Sequence, residues 1–349
     1  METSIWLGTA KMNITPDFPT DLQPAHPGRK EAATKAVRAL FARVAEPVVA
    51  ERGSANCGFA TYRRKQENGR IVMAPSEEGP VDPEVIVIRF RKRDGHAKCA
   101  FIHYACHPTT TYDNVYSSEF PGAAAELVEA ALGHEAIALY LQGCCGDIRP
   151  RVVCDGKYYS GSNLEVSRFG CELAAAVLEA MTACMEPLCF IPFEYRSVQV
   201  RLPFQTMPSA AELEASKHRT DAKGTWSRLL LAHPDRFVPF ELLRIQYIRL
   251  ADGLALLAMN GEAVTEYGLY TKRLFGGQVL PMGYSNGHTT YIPTAVQLKE
   301  GGFEAYDVFY STGRPSPYDP LIEQTIKGAI ADLVGEGGGY ETDQGPVTE

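Results

Sequence analysis

The clearest alternation of apolar and polar stretches lies between Cys99 and Arg151. The run from Cys99 to Ala105 reads as an apolar strand that delivers His107 to its end. A polar loop and an alanine-rich helix follow. A second strand then ends in Gln142-Gly143-Cys144-Cys145-Gly146-Asp147. Two strands ending in polar turns at one sheet edge mark the place where open α/β sheets hold their ligands.

The same pattern sets out the rest of the chain. Ile5 to Ile14 predicts an opening strand, and Val37, Leu40, Phe41 and Val44 recur at helical spacing from Glu31 onward. Val85 to Phe90, the Asp94-Gly95 turn and Cys99 to Ala105 predict a hairpin. Ser162 and Glu165 form a capping-box pattern ahead of Val166, Phe169, Leu173, Val177 and Met181, which share one helical face. Ser209 and Glu212 begin a shorter helix inside a surface excursion that runs to about Pro239. A second hairpin joins Arg244–Leu250 to Leu254–Met259, whose wholly apolar composition predicts a central strand. Helical spacing resumes through Val264, Tyr267 and Leu274, and Gln278–Tyr284 predicts a short strand. Asp319 and Pro320 cap a last helix bearing Leu321, Ile322, Ile326, Ile330 and Leu333. No repeat or linker interrupts this order. The expected fold is α/β, one large domain over residues 1–335 with a central mixed, twisted sheet flanked by helices, then a disordered tail over 336–349.

Composition narrows the function classes. The 349 residues carry 34 Lys+Arg against 42 Asp+Glu, a net charge of −8. Without a basic run this argues against nucleic acid as a partner. No stretch is long and apolar enough for a transmembrane helix, and no signal-peptide pattern opens the chain. Nine cysteines, most within apolar segments, read as reduced core residues of a cytoplasmic protein. The adjacent Cys144-Cys145 reads as packing.

Three polar residues follow apolar strands: His107, Asp147 and Glu262. His107 is either a satisfied structural imidazole or a metal ligand. Glu262 is either a ligand or a charge favoured at a helix N-terminus. Asp147 either orients a histidine or caps a turn. His103 is assigned a structural role. Together an imidazole and carboxylates at strand ends suit a zinc hydrolase with an activated water.

Several blocks in order carry a resemblance. They are LGTAKMNITP, YRR at Tyr62–Arg64, GPVDPEVIVIRF, YACHPTT, SSEFPG, LYLQGCCGDIRP, NGEAVTEYG, GYSNGHTTYIPT and GGFEAY. The chain resembles the neutral/alkaline non-lysosomal ceramidase N-terminal domain family, especially its short bacterial members of unassigned substrate. The resemblance implies one catalytic Zn2+ held by His107, Glu262 and Tyr291, with Arg63 against the substrate. The first zinc-histidine motif of that family is absent, and His26 is the nearby candidate. Arg149 stands where ceramidases have a serine nucleophile, and Phe303 where they have a tyrosine. Without the serine, a metal-activated water is the expected nucleophile, with Arg149 or Arg63 stabilising the oxyanion. Arg149 has a second reading as an ion-pair partner of Glu119 or Asp147. The expected reaction is hydrolysis of an amide-type bond in a soluble small molecule, since the secretion signal and C-terminal immunoglobulin-like domain of large ceramidases are missing. Two alternatives stand beside it. One is a carbohydrate hydrolase or lyase at the same site, with Tyr291 or His288 as acid or base. The other is a metal-free relative that only binds its ligand.

Overall fold

The computed structural model describes residues 5–7, 46–113, 117–133, 135–287 and 289–335. His26, His288, the helix expected from Glu31 and the tail over 336–349 lie outside the described residues. In chain order, β1 (Ile5–Leu7), β2 (Glu46–Asn56), β3 (Ala60–Glu67), β4 (Arg70–Ser76), β5 (Glu84–Lys92) and β6 (Ala97–Tyr104) precede α1 (Glu119–Leu132). Next come β7 (Ile137–Gln142), β8 (Ile148–Pro150), β9 (Val153–Cys154), β10 (Lys157–Tyr158), α2 (Asn163–Thr182), β11 (Glu186–Leu188) and β12 (Phe190–Pro203). Helices α3 (Ala210–Ser216) and α4 (Ala222–Ala232) lead to β13 (Phe240–Ala251), β14 (Leu254–Met259), β15 (Glu262–Ala263), α5 (Thr265–Leu274), β16 (Val279–Met282) and β17 (Tyr291–Ile292). The chain continues through α6 (Ala295–Glu300), a π-helical turn at Phe303–Asp307, α7 (Val308–Thr312) and α8 (Ile322–Val334).

Two mixed sheets carry the α/β fold. The first has the order β1-β2-β5-β6-β7, with β11 also on β2, and the second the order β12-β13-β14-β16. Alternation along the strands explains how they stack. Ile86, Ile88 and Phe90 of β5 meet Ala251, Leu254 and Leu280 of the second sheet. Val85 and Val87, on the opposite face, meet Phe120, Val128, Phe169, Leu173 and Val177 of α1 and α2. On the outer face of the second sheet, Leu243, Ile245, Leu257 and Met259 pack with Tyr267 of α5 and with Ile326 and Ile330 of α8. The result is four layers: helices, sheet, sheet, helices. Strand β5 reads as a continuous apolar run because both its faces are covered. The Ser162–Glu165 capping box forms as expected and opens α2.

Both sheets are threaded alike. Hairpin β5/β6 is followed by α1 and by β7, which runs parallel to β6 from Cys99↔Ile137 to Tyr104↔Gln142. Hairpin β13/β14 is followed by α5 and by β16, parallel to β14 from Ala255↔Val279 to Ala258↔Met282. Strand β14 is therefore central, as its composition predicts. His103 ties the two sheets together, its Nε2–H donating to the Pro281 carbonyl at 2.8 Å. This is the structural role assigned to it.

Two expectations change. The excursion between β12 and β13 is not bare surface: Leu213, Trp226 and Leu230 bury one another in a small core of their own. Cys171, Cys184 and Cys189 are exposed rather than core, because they fall on the solvent side of α2 and on the chain that follows it. The nine cysteines are all unpaired, and Cys57, Cys99, Cys106, Cys144 and Cys145 are buried.

Candidate active site

The parallel pairs place their C-terminal ends side by side. His107 follows β6 and Glu262 follows β14, and the two meet: His107 Nε2 lies 3.0 Å from Glu262 Oε2. The turn after β7 makes this possible. Gly146 donates to the Ala263 carbonyl at 3.0 Å. A Cβ there would sit 2.7 Å from the Glu262 carbonyl oxygen, so only glycine allows the approach. On its other side the imidazole is fixed by Nδ1–H donating to the Ile148 carbonyl at 2.9 Å, which leaves Nε2 directed at the carboxylate. Glu119 braces the loop beyond His107 by accepting the backbone N–H groups of Thr110 and Thr111 at 2.8 and 3.1 Å.

A tyrosine completes the cluster, and it is Tyr284. Its hydroxyl donates to Glu262 Oε2 at 2.8 Å and lies against His107 Nε2 in a short contact. Tyr284 follows β16 and holds φ at 54°, a left-handed conformation that a bulky residue adopts at a cost. Burial first, then Cys145 and Glu262, push its acidity far from the ordinary phenol range, so the proton stays on the oxygen. Burial lowers the His107 pKa, but Cys145 and Glu262 outweigh it and push it up to about 10.

Tyr291 stands one place further out. Strand β17 pairs parallel with β15, so that Tyr291 is the direct partner of Glu262. Burial raises the Tyr291 pKa, Arg63 opposes that, and Glu262 adds to it through charge and a hydrogen bond. Arg63 lies 5.3 Å from the Tyr291 ring centre and 5.9 Å from that of Phe303. Its Nε donates to Glu304 Oε1 at 2.8 Å, and Arg64 Nη1 donates to Glu304 Oε2 at 2.7 Å, so one buried carboxylate serves two arginines. The Arg63 Nη2 atom is buried without a hydrogen-bond partner.

The contacts of Asp147 and Arg149 separate the readings given to them. Asp147 does not orient His107. Its Oδ1 accepts from Thr265 N and Oγ1 at 2.8 and 2.7 Å, and its Oδ2 from Gln297 Nε2 at 2.8 Å. It caps the entrance to α5 from a distant part of the chain. Arg149 pairs with neither Glu119 nor Asp147; it donates to the Tyr112 hydroxyl and, at 3.0 Å, to the Thr109 carbonyl. Sequence reasoning missed Tyr284, although its Gly-Tyr-Ser-Asn block was in view. A tyrosine at a strand end carries no signal until its neighbours are placed.

Among the described residues, no group of three His, Cys, Asp or Glu side chains is placed to hold a metal. The donor set here is one imidazole, one carboxylate and one phenol. Donors on a tetrahedral zinc ion with bonds of about 2.0 to 2.2 Å lie roughly 3.3 to 3.6 Å apart. The observed separations are 3.0 Å for His107–Glu262 and 2.8 Å for Tyr284–Glu262. The Tyr284–His107 contact is shorter still, so the donor types suit zinc while the three side chains, now hydrogen-bonded to one another, must move apart by up to about an ångström to admit it.

Neither a family model nor a curated protein matches the chain by sequence. Solved structures do match by fold. The neutral ceramidase from Pseudomonas aeruginosa superposes with a TM-score of 0.61 at 16% identity, over 87% of this chain and 54% of that one. A ceramidase complexed with C2 gives 0.61 at 15% identity, over 87% and 56%. The fold is thus ceramidase-like, and the chain spans about half the length of those enzymes.

Proposed function

We propose that the protein is a zinc-dependent hydrolase of an amide-type bond in a small molecule, with His107, Glu262 and a tyrosine around the ion. The observation that carries this reading is the convergence of His107 Nε2, Glu262 Oε2 and the Tyr284 hydroxyl from both sheets on one buried point. The ceramidase-like fold agrees with it. Bound there, zinc supplies Lewis acidity and acidifies water.

The chain's own residues do the rest. Arg63 offers its unpartnered Nη2–H to the amide oxygen as negative charge develops there. Glu304 keeps that guanidinium fixed. As water adds to the carbonyl carbon its proton passes toward Glu262. The C–N bond then breaks as the nitrogen takes a proton from the Tyr291 hydroxyl, which recovers one from Glu262. A carboxylic acid and an amine result.

The test is zinc content beside product analysis. Wild-type protein grown with zinc should hold close to one equivalent and release free amine from a panel of N-acyl compounds. His107→Ala and Glu262→Ala should each fall below about a tenth of an equivalent. A wild-type protein without zinc, or variants that keep it, would overturn the reading. New reducing ends from a glycan panel without amine release would transfer it to carbohydrate chemistry.

A further inference from the structure

Arg149 is a buried cation, 2% exposed, and no carboxylate of the described residues pairs with it. A guanidinium has five N–H donors. Arg149 spends one on the Tyr112 hydroxyl and one on the Thr109 carbonyl, and its Nε is buried without a partner. Among the described residues its charge is met by those two neutral acceptors and by π faces, with its carbon 4.4 Å from the Tyr158 ring centre and 5.1 Å from that of Tyr112. A charge kept dry without a counter-ion is costly, which is why buried arginines are as a rule paired.

Its placement says what completes it. Arg149 pairs across the sheet with Thr61, so it shares a face with Arg63 two residues along β3. The neighbouring Ile148 carbonyl holds the His107 imidazole, and Thr109 lies two residues beyond His107. The Tyr158 ring that lies against Arg149 sends its hydroxyl to the Tyr62 carbonyl at 3.3 Å, one residue before Arg63. Tyr112, which covers one edge of the guanidinium, is 61% exposed and is the partner a ligand can displace.

We propose that Arg149 binds an anionic group of the substrate, and that this substrate is an amide bearing a carboxylate close to the scissile bond, as in an N-acyl amino acid. The inference deepens the hydrolase reading and rests on it for the amide. The carboxylate rests on Arg149 alone.

The experiment compares N-acylglycines of two to eight acyl carbons with their uncharged glycinamides, by calorimetric binding to the full chain with and without zinc. Wild type should favour the carboxylate by about ten- to a hundredfold, the range of a charged hydrogen bond. Arg149→Gln should bring the ratio close to one while zinc content holds, and Arg149→Lys should retain part of it. A ratio near one in wild type, or one unchanged in Arg149→Gln, overturns the proposal. Circular dichroism of Arg149→Lys guards against misfolding. An Arg149-dependent preference in a protein that holds no zinc and releases no amine would sink the hydrolase reading and leave the anion site standing. Zinc and amine release without the preference would do the reverse.

Discussion

His103 shows how much one buried side chain couples folding to solvent. Burial first, and then Lys272, lower its pKa from the usual 6.5 to about 3, so it stays neutral in the folded protein. The unfolded chain takes up that proton near pH 6.5 and the folded one only near pH 3. The stabilising contribution is therefore complete above pH 6.5 and is lost as pH falls toward 3, by about 1.4 kcal/mol per unit. Denaturant titrations at pH 7 and 4.5 should show wild type losing roughly 2 to 3 kcal/mol more than His103→Asn. Parallel losses would mean that His103 does not govern the acid limb. The inter-sheet bond from Nε2 to Pro281 survives only while the imidazole stays inside, so the same histidine reports on contact between the sheets.

At the scale of elements, the crossovers decide where chemistry can occur. Helix α5 begins three residues after Glu262, and its first turn is held by Asp147 through Thr265. Removing that carboxylate takes the shared acceptor from the buried Thr265 donors and leaves Gln297 Nε2 with only its 3.5 Å contact to the Tyr62 hydroxyl. Asp147→Ala should lower unfolding free energy by about 3 kcal/mol, and Gln297→Ala by about 1. A loss under about 0.5 kcal/mol for Asp147→Ala would show the cap to be dispensable. The local elements were legible in sequence because their signals are local: the hairpin turn at Asp94-Gly95, the Ser162 box and the apolar run of β14. The division into two stacked sheets was not. A strand covered on both faces looks the same whether helices or a second sheet cover it. A cap was one of two readings open for Asp147, and what it holds was hidden for a related reason, since its partners lie 118 and 150 residues away. His107 and Glu262 could be singled out as strand-end residues, whereas Tyr284 and the isolation of Arg149 depend on which loops meet.

Across the whole molecule, the candidate site is the seam between two similarly threaded halves. His107 follows β6 of the first sheet, and Glu262 and Tyr284 follow β14 and β16 of the second, so an ion held by all three would link the sheets at their C-terminal ends. Binding to the folded state alone stabilises it by RT ln(1 + [L]/Kd), about 2.7 kcal/mol at a hundredfold excess over Kd. If the proposed zinc sits at the seam, that stabilisation must appear on both sides of it. Hydrogen exchange of zinc-loaded and chelator-treated protein should then slow together at residues 105–108 of the first sheet and at 260–263 and 283–285 of the second. Glu262→Ala should abolish the change on both sides, because without that carboxylate the ion is lost. Protection confined to one sheet would place the metal elsewhere and leave the convergence of His107, Glu262 and Tyr284 as a hydrogen-bonded seam, one whose strain at Tyr284 would then need another reason.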